Sequence, residues 1–284
     1  MKKGKVMHNS PSVVNEVKSL VKAVDLVLEV LDARAPQSTQ NPAIGKLINT
    51  SQNLVLLNKA DLAEEDITNG WLEYYRNKEV TAASFHNHLP PQKIFNLVNA
   101  AAPGGRKGKF NRPQRIMVLG VPNVGKSTIV NALLPRKTAR TGDKAGITKG
   151  KQWIRIRPDL ELLDTPGLVQ PFINEQTYFR IALLGVLPES QLEPLEAADW
   201  LLNYIIEKKL QERLQKRYGI DGGQEKDSDI ERILGELAAK RGCLQSGGEP
   251  DLNQAAQILL KEFREGKLGP FSLEEPGRET NDLR

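Results

Sequence analysis

Apolar residues dominate short runs along the first part of the chain: Leu26 to Leu31, Asn53 to Leu57, Arg115 to Leu119 and Leu160 to Leu163. Runs of this length, bounded by polar or glycine-rich segments, read as strands buried on both faces. Ser127 to Leu134 has the spacing of an amphipathic helix instead, so strand and helix alternate as in an α/β domain with a mostly parallel sheet. From about residue 190 onward the period is helical. Three helices are expected there, about Glu193 to Arg217, Ser228 to Arg241 and Asn253 to Glu265, with Gly-rich turns at Gly219 to Gly223 and Gly242 to Gly248. The pattern therefore predicts an α/β domain over residues 1–185 and a small all-helical domain over residues 190–284.

The segments that follow the strands carry the chemistry. Gly120 to Ser127 fits Gly-x-x-x-x-Gly-Lys-Ser, placed between a strand and a helix as a phosphate loop must be. Glycines let the backbone approach an anion closely, and successive N–H groups with the helix N-terminus point at the phosphates. Pro122, Asn123, Val124, Gly125, Lys126, Ser127 and Thr128 are thus the expected phosphate contacts, with Lys126 as the point charge. The Ser127 hydroxyl is a hard oxygen ligand of the kind Mg²⁺ prefers.

Asp164-Thr165-Pro166-Gly167 follows the run ending at Leu163, so Asp164 stands at a strand's C-terminal end, where ligands of open α/β sheets gather. There a carboxylate can hold the Mg²⁺ shell, directly or through water, and the Gly167 N–H can face a γ-phosphate. Asn58-Lys59-Ala60-Asp61 follows another apolar run. A carboxylate at Asp61 accepts two hydrogen bonds from guanine N1–H and the exocyclic amine, a donor pair that adenine lacks, so the expected nucleotide is GTP. Asn58 braces the loop, and the Lys59 stem covers the base. The order is unusual: the base-reading segment precedes the phosphate loop, and the Asp164 segment follows it.

With these motifs in this order, the chain resembles the circularly permuted GTPases of the YlqF type, the ribosome biogenesis GTPase A family. Asp32-Ala33-Arg34, Gly146-Ile147-Thr148 and Arg180 to Gly185 extend the likeness over most of the chain. The resemblance implies that Thr148 is a second Mg²⁺ ligand and sensor of the γ-phosphate. With Lys126 and Gly167, Thr148 makes up the expected catalytic set. It implies that Ala82, in a loop after a short strand, offers its N–H to guanine O6, and that the Asn123 oxygen holds K⁺. Asn123 also fits a plain turn-stabilising role. Leu168 stands where many GTPases carry a water-orienting glutamine, so hydrolysis is expected to be slow alone and stimulated by a partner. A histidine of the family's N-terminal segment is out of register here, since Asn9 rather than His8 takes its place.

Permutation is compatible with a compact domain because chain ends commonly lie close together. The Gly/Pro-rich basic stretch from Ala102 to Pro113 is the expected join. In this order the Asp164 segment leads directly into the helical domain, which makes loop ordering by the γ-phosphate a means of repositioning that domain.

Charge separates the two parts. Residues 1–189 hold 26 Lys and Arg against 16 Asp and Glu, whereas residues 190–284 hold 14 against 19. Arg136, Lys137, Arg140, Lys144, Lys149, Lys151, Arg155 and Arg157 surround the Thr148 segment with one acid, Asp143, among them. A cluster this dense attracts phosphates beyond those of a nucleotide, and RNA is the expected contact. Lys208, Lys209, Arg213, Lys216 and Arg217 form either a basic stripe on the first long tail helix or one side of a salt-bridged surface with Glu207 and Glu212. The lone Cys243 excludes an internal disulfide framework. No run spans a bilayer, because Asp25 and Glu29 interrupt the best candidate.

These features, with the resemblance, lead to the expectation of a cytoplasmic, monomeric GTPase acting as a checkpoint in late maturation of the large ribosomal subunit. Its partners would be GTP and GDP, the subunit precursor and rRNA, with Mg²⁺ and K⁺ as cofactors and no membrane. A GTP-regulated RNA-binding module with incidental turnover, or a GTPase acting on tRNA, is the competing reading.

Overall fold

Among the described residues, five of the six strands run in one direction, so their C-terminal ends open on one edge of the sheet. The computed structural model describes residues 11–101, 112–134, 153–163, 175–223 and 230–277. The strands are β1 (Leu26–Asp32), β2 (Asn53–Asn58), β3 (Thr81–Ser84), β4 (Gln114–Leu119), β5 (Trp153–Arg157) and β6 (Leu160–Leu163). They lie in the order β3-β2-β1-β4-β6-β5, with only β5 antiparallel to its neighbour. Every residue of β1 and β2 is buried, which explains why both read as continuous apolar runs without alternation. Register decides what meets at the open edge. Asp32 lies opposite Asn58, while Glu29 lies opposite Leu119, so β1 extends past the end of β4 and brings Asp32 level with the loop that follows β4.

Around this sheet are α1 (Pro11–Val21), the single-turn helices α2 (Pro36–Thr39) and α3 (Pro42–Gly45), then α4 (Glu65–Asn77), α5 (Pro91–Ala101) and α6 (Lys126–Leu133). The apolar stripe of α4 places Trp71 and Tyr75 against Leu31, Val55 and Leu57. Trp71 meets Tyr74 edge-on at 5.2 Å between ring centroids, an arrangement aromatic quadrupoles favour. Inside the sheet, Glu29 is buried and accepts hydrogen bonds from Asn53 Nδ2 at 3.0 Å and Gln40 Nε2 at 3.1 Å. Burial pushes the Glu29 pKa up, and the two amides offset part of that rise.

The chain divides into two units, residues 1–177 with 271–284 and residues 178–270. The boundary expected at residue 190 thus lies earlier, and the last segment does not stay with the helices. Phe271 N donates to Leu62 O at 2.9 Å and Leu273 N to Arg34 O at 2.7 Å. The Glu274 carboxylate accepts from the backbone N–H of Gln37 at 2.8 Å and of Ser38 at 3.0 Å, satisfying donors that the start of α2 leaves open. Sequence periodicity could not show this, because the tail pairs with residues more than two hundred positions away.

The second unit contains most of α7 (Glu175–Leu183), with α8 (Pro194–Glu207), α9 (Glu212–Tyr218), α10 (Ile230–Arg241) and α11 (Leu252–Arg264). Helix α11 packs on α8 and α10, burying Leu201, Ile205, Leu234, Leu259 and Phe263. The single helix expected over Glu193 to Arg217 is two. Lys209 takes a left-handed φ of 56°, Lys209 N donates to Ile206 O at 3.1 Å and Leu210 N donates to Ile205 O at 2.8 Å. This pair of bonds is the Schellman stop, made here without the glycine that would have announced it. Lys208 and Lys209 therefore do not share a helix with Arg213, Lys216 and Arg217. Arg217 pairs with Glu262 of α11 at 2.7 Å, and Arg241 of α10 reaches the same carboxylate at 2.8 Å, so Arg217 belongs to an ion pair between helices rather than to a free stripe or to a pair with Glu207 or Glu212. Among the described residues, no helix is long and apolar enough to cross a membrane.

Candidate functional site

The loop from β4 to α6 has the backbone that its glycines require. A Cβ on Gly120 would stand 2.5 Å from Val30 O, a fixed backbone atom of β1. Gly125 has φ 99°, and a Cβ there would stand 2.1 Å from Asn58 Nδ2. Asn123 is also left-handed, with φ 60°, a conformation asparagine tolerates better than most residues. Helix α6 starts at Lys126, so the open N–H groups of its first turn point back into the loop, with Ser127 and Thr128 exposed beside them. Lys126 Nζ donates to Val121 O at 2.7 Å, and burial pushes its pKa down. A partly desolvated ammonium gains most from an incoming anion.

The base-reading segment meets this loop through side chains. Asn58 Nδ2 donates to Val124 O at 2.8 Å, and Lys59 Nζ donates to Asn123 O at 2.7 Å. Lys59 has a left-handed φ of 59°, which turns the chain sharply at the end of β2 and carries Asp61 past it. Asp61 is exposed, with His88 Nε2 3.7 Å from its carboxylate. Lys59 Nζ also donates to Asp32 Oδ2 at 2.9 Å. Asp32 is wholly buried and receives Arg34 Nε at 2.9 Å and Arg34 Nη2 at 2.9 Å. Burial opposes ionisation of Asp32, but the Arg34 and Lys59 cations outweigh it and hold the carboxyl well below the usual range.

One expected contact is corrected. Ala82 is not in a loop: it lies inside β3 opposite Val55, whereas Asp61 lies beyond the end of β2. The turn after β3 is what reaches the base-reading segment, with Ala60 N donating to Phe85 O at 3.1 Å and Phe85 N to Leu57 O at 2.9 Å. The short run Thr81 to Ser84 lacked the large apolar residues that mark a buried strand, because β3 is an edge strand and is only partly covered.

Of the remaining expected residues, Thr148, Asp164, Gly167 and Leu168 lie outside the described residues, as do His8 and the basic residues from Arg136 to Lys151. Arg155 and Arg157 are described, on the edge strand β5. Arg155 Nη2 donates to Pro158 O at 3.1 Å, and the Arg157 guanidinium lies 4.2 Å from the Phe95 ring centroid. Sequence reading missed the pairing of Asp32 with Lys59, the Phe85 carbonyl and the Glu274 cap. Only the first had a local signal, an acid at a strand end.

The chemistry this edge offers is that of a nucleotide site: an anion cradle at a helix start, a hydroxyl suited to a hard cation, and an exposed carboxylate beside a loop tied to the cradle. Ser127 and the amides of the loop suit a Mg²⁺–triphosphate group, since the donor set is oxygen for the metal and N–H for the phosphates.

Known proteins share this organisation. Residues 115–234 match the family described as 50S ribosome-binding GTPase. Ribosome biogenesis GTPase A of Bacillus cereus is 36% identical, covering 94% of this chain and 93% of the relative. The protein of the same name from Priestia megaterium is 33% identical, covering 94% and 95%. The mitochondrial ribosome-associated GTPase 1 of Xenopus tropicalis is 32% identical, over 92% and 91%. Among solved structures, GNP-bound YlqF from T. maritima superposes with a TM-score of 0.64 at 29% identity, covering 93% of this chain and 98% of that one. The GDP-bound form gives 0.66 at 28%, covering 93% and 100%. With such identity over nearly the whole length of both chains, this chain belongs to the ribosome biogenesis GTPase A family of GTP-hydrolysing enzymes.

Proposed function

We propose that the chain is a GTPase that acts as a checkpoint in late maturation of the large ribosomal subunit, binding the precursor particle with GTP and leaving it after hydrolysis. The observation that supports this reading best is the seam between Asn58-Lys59 and Asn123-Val124. Two segments 65 positions apart share hydrogen bonds of 2.7 and 2.8 Å, so a base-reading loop and a phosphate cradle face one nucleotide.

In this reading Asp61 accepts the guanine donors and Lys59 covers the base plane. The phosphates rest on the amides from Pro122 to Thr128, with Lys126 turning from Val121 O to the β- and γ-phosphates. Mg²⁺ supplies neutralisation of the phosphate charge when bound. Ser127 is its ligand from the phosphate loop, and Thr148 and Asp164 are assigned as its other contacts. Gly167 is assigned to the γ-phosphate through its N–H. Asn123 is assigned to K⁺, a role that hydrolysis rates in KCl against NaCl would test: equal rates remove it. The turn that begins at Phe85 takes over the contact to guanine O6 expected of Ala82. The protein works as a cytoplasmic monomer, and its basic surface near Arg155 and Arg157 faces rRNA.

Co-sedimentation with large-subunit precursor particles in a non-hydrolysable GTP analogue, in GDP and without nucleotide tests the proposal. Binding favoured by the analogue is expected, together with hydrolysis stimulated by the same particles. Absence of co-sedimentation in all three conditions would overturn it.

A further inference from the structure

Asp32 is the residue whose position the nucleotide reading uses least and whose surroundings constrain it most. It has no exposure to solvent, and its backbone N–H is bonded to Thr39 Oγ1 at 3.1 Å. One carboxylate oxygen, Oδ1, accepts from Arg34 Nε at 2.9 Å and Arg34 N at 3.2 Å. The other, Oδ2, accepts from Arg34 Nη2 and from Lys59 Nζ, each at 2.9 Å. The same Lys59 ammonium donates to Asn123 O in the phosphate loop at 2.7 Å.

We propose that Asp32 is a positioning residue for guanine-nucleotide binding, fixing the Lys59 ammonium against the Asn123 carbonyl so that the base-reading loop and the phosphate loop are joined before the nucleotide arrives. This rests on the assignment of Lys59 and Asn123 to the nucleotide site given above. Lysine has four rotatable side-chain bonds, and an unheld ammonium on an exposed loop samples many rotamers. Here the chain itself is bent into a left-handed turn at Lys59, and only about a quarter of the side chain is open to solvent. Asp32 supplies the full charge that a neutral backbone carbonyl cannot, and a charge-assisted bond holds an ammonium more firmly than a neutral one. Arg34 keeps the carboxylate ionised and in plane through a two-pronged contact, which leaves the outer side of Oδ2 to Lys59. Arg34 is held in turn by the returning C-terminal segment, whose Leu273 N–H bonds its carbonyl at 2.7 Å. The link carried by Lys59 is thus braced from behind rather than left to the two loops.

The test is a double-mutant cycle in the full chain, read by the dissociation constant and off-rate of a fluorescent GDP. Lys59→Met alone is expected to weaken binding tenfold or more. Asp32→Asn alone is expected to weaken it about tenfold, chiefly through a faster off-rate, and the double variant to be no weaker than Lys59→Met. Additive effects, or an Asp32→Asn protein within twofold of wild type while Lys59→Met is impaired, would overturn the proposal. A Lys59→Met protein with unchanged GDP binding would instead sink the site assignment itself. Should Asp32→Asn fail to fold, the wild-type protein still offers a refutation: without nucleotide, Lys59 should acylate at least tenfold more slowly than the exposed Lys93. Equal rates would show an ammonium that nothing holds.

Discussion

Replacing Gly125 by alanine tests the joined site most directly, because the methyl group enters where the two loops touch. Its Cβ would stand 2.1 Å from Asn58 Nδ2, so the amide must move and give up its 2.8 Å bond to Val124 O. Asn58 is buried, and losing a bond there costs about 1–2 kcal/mol. Gly125 also has φ 99°, and holding an alanine in left-handed backbone adds about 1 kcal/mol. The expected total is about 2–3 kcal/mol, or roughly 30- to 140-fold at 1.4 kcal/mol per factor of ten. The loss can show in either of two quantities. If the nucleotide-free loop keeps its shape, folding stability falls; if the loop springs open, stability is spared and nucleotide binding bears the cost of closing it. The sum of the two losses is therefore the prediction. It is obtained from urea unfolding without nucleotide and from the GDP dissociation constant, combined through linkage. A combined loss under about 0.5 kcal/mol would show that Asn58 does not brace this loop.

Other consequences concern charge. The pKa of Glu29 is raised by burial above its ordinary 4.5, so its ionised form costs stability as pH climbs through that value. Glu29→Gln should unfold at higher urea than wild type at pH 7 and show no gain at pH 4; an equal gain at both would refute the assignment. Glu262 behaves in the opposite sense, because the Arg217 hydrogen bond lowers its pKa. Glu262→Gln should lower the thermal midpoint at pH 7, with the deficit shrinking as pH falls below the ordinary 4.5, where the wild-type carboxylate also takes up a proton. A deficit independent of pH would mean packing rather than charge. Asp61→Ala should cut GTP binding at least a hundredfold while leaving ATP binding unchanged, checked by competition against fluorescent GDP.

Much of this protein was legible in its residues taken in order. Continuous apolar runs located β1, β2, β4 and β6, because strands covered on both faces need no polar alternation. Glycines at 120 and 125 marked the phosphate loop, since each sits where a side chain has no room. Helices α10 and α11 followed from their own apolar period. These are local properties, set by the chain's covalent geometry and by which face of each element meets water.

Tertiary structure decided the rest. The stop after α8 uses Lys209 in a left-handed turn closed by backbone hydrogen bonds to Ile205 and Ile206, with no glycine to mark it. Ala82 proved to be inside an edge strand because β2 offered a partner, something no four-residue run of small side chains could declare. The return of Phe271 to Glu274 onto the α/β unit joins positions more than two hundred residues apart. So does the contact of Lys59 with Asp32 and Asn123 join distant segments, through strand register rather than spacing. By itself the sequence determined which elements form and which chemistry each strand end carries; only the folded sheet decided which ends meet, because hydrogen bonds and ion pairs depend on distance in space and not on separation along the chain.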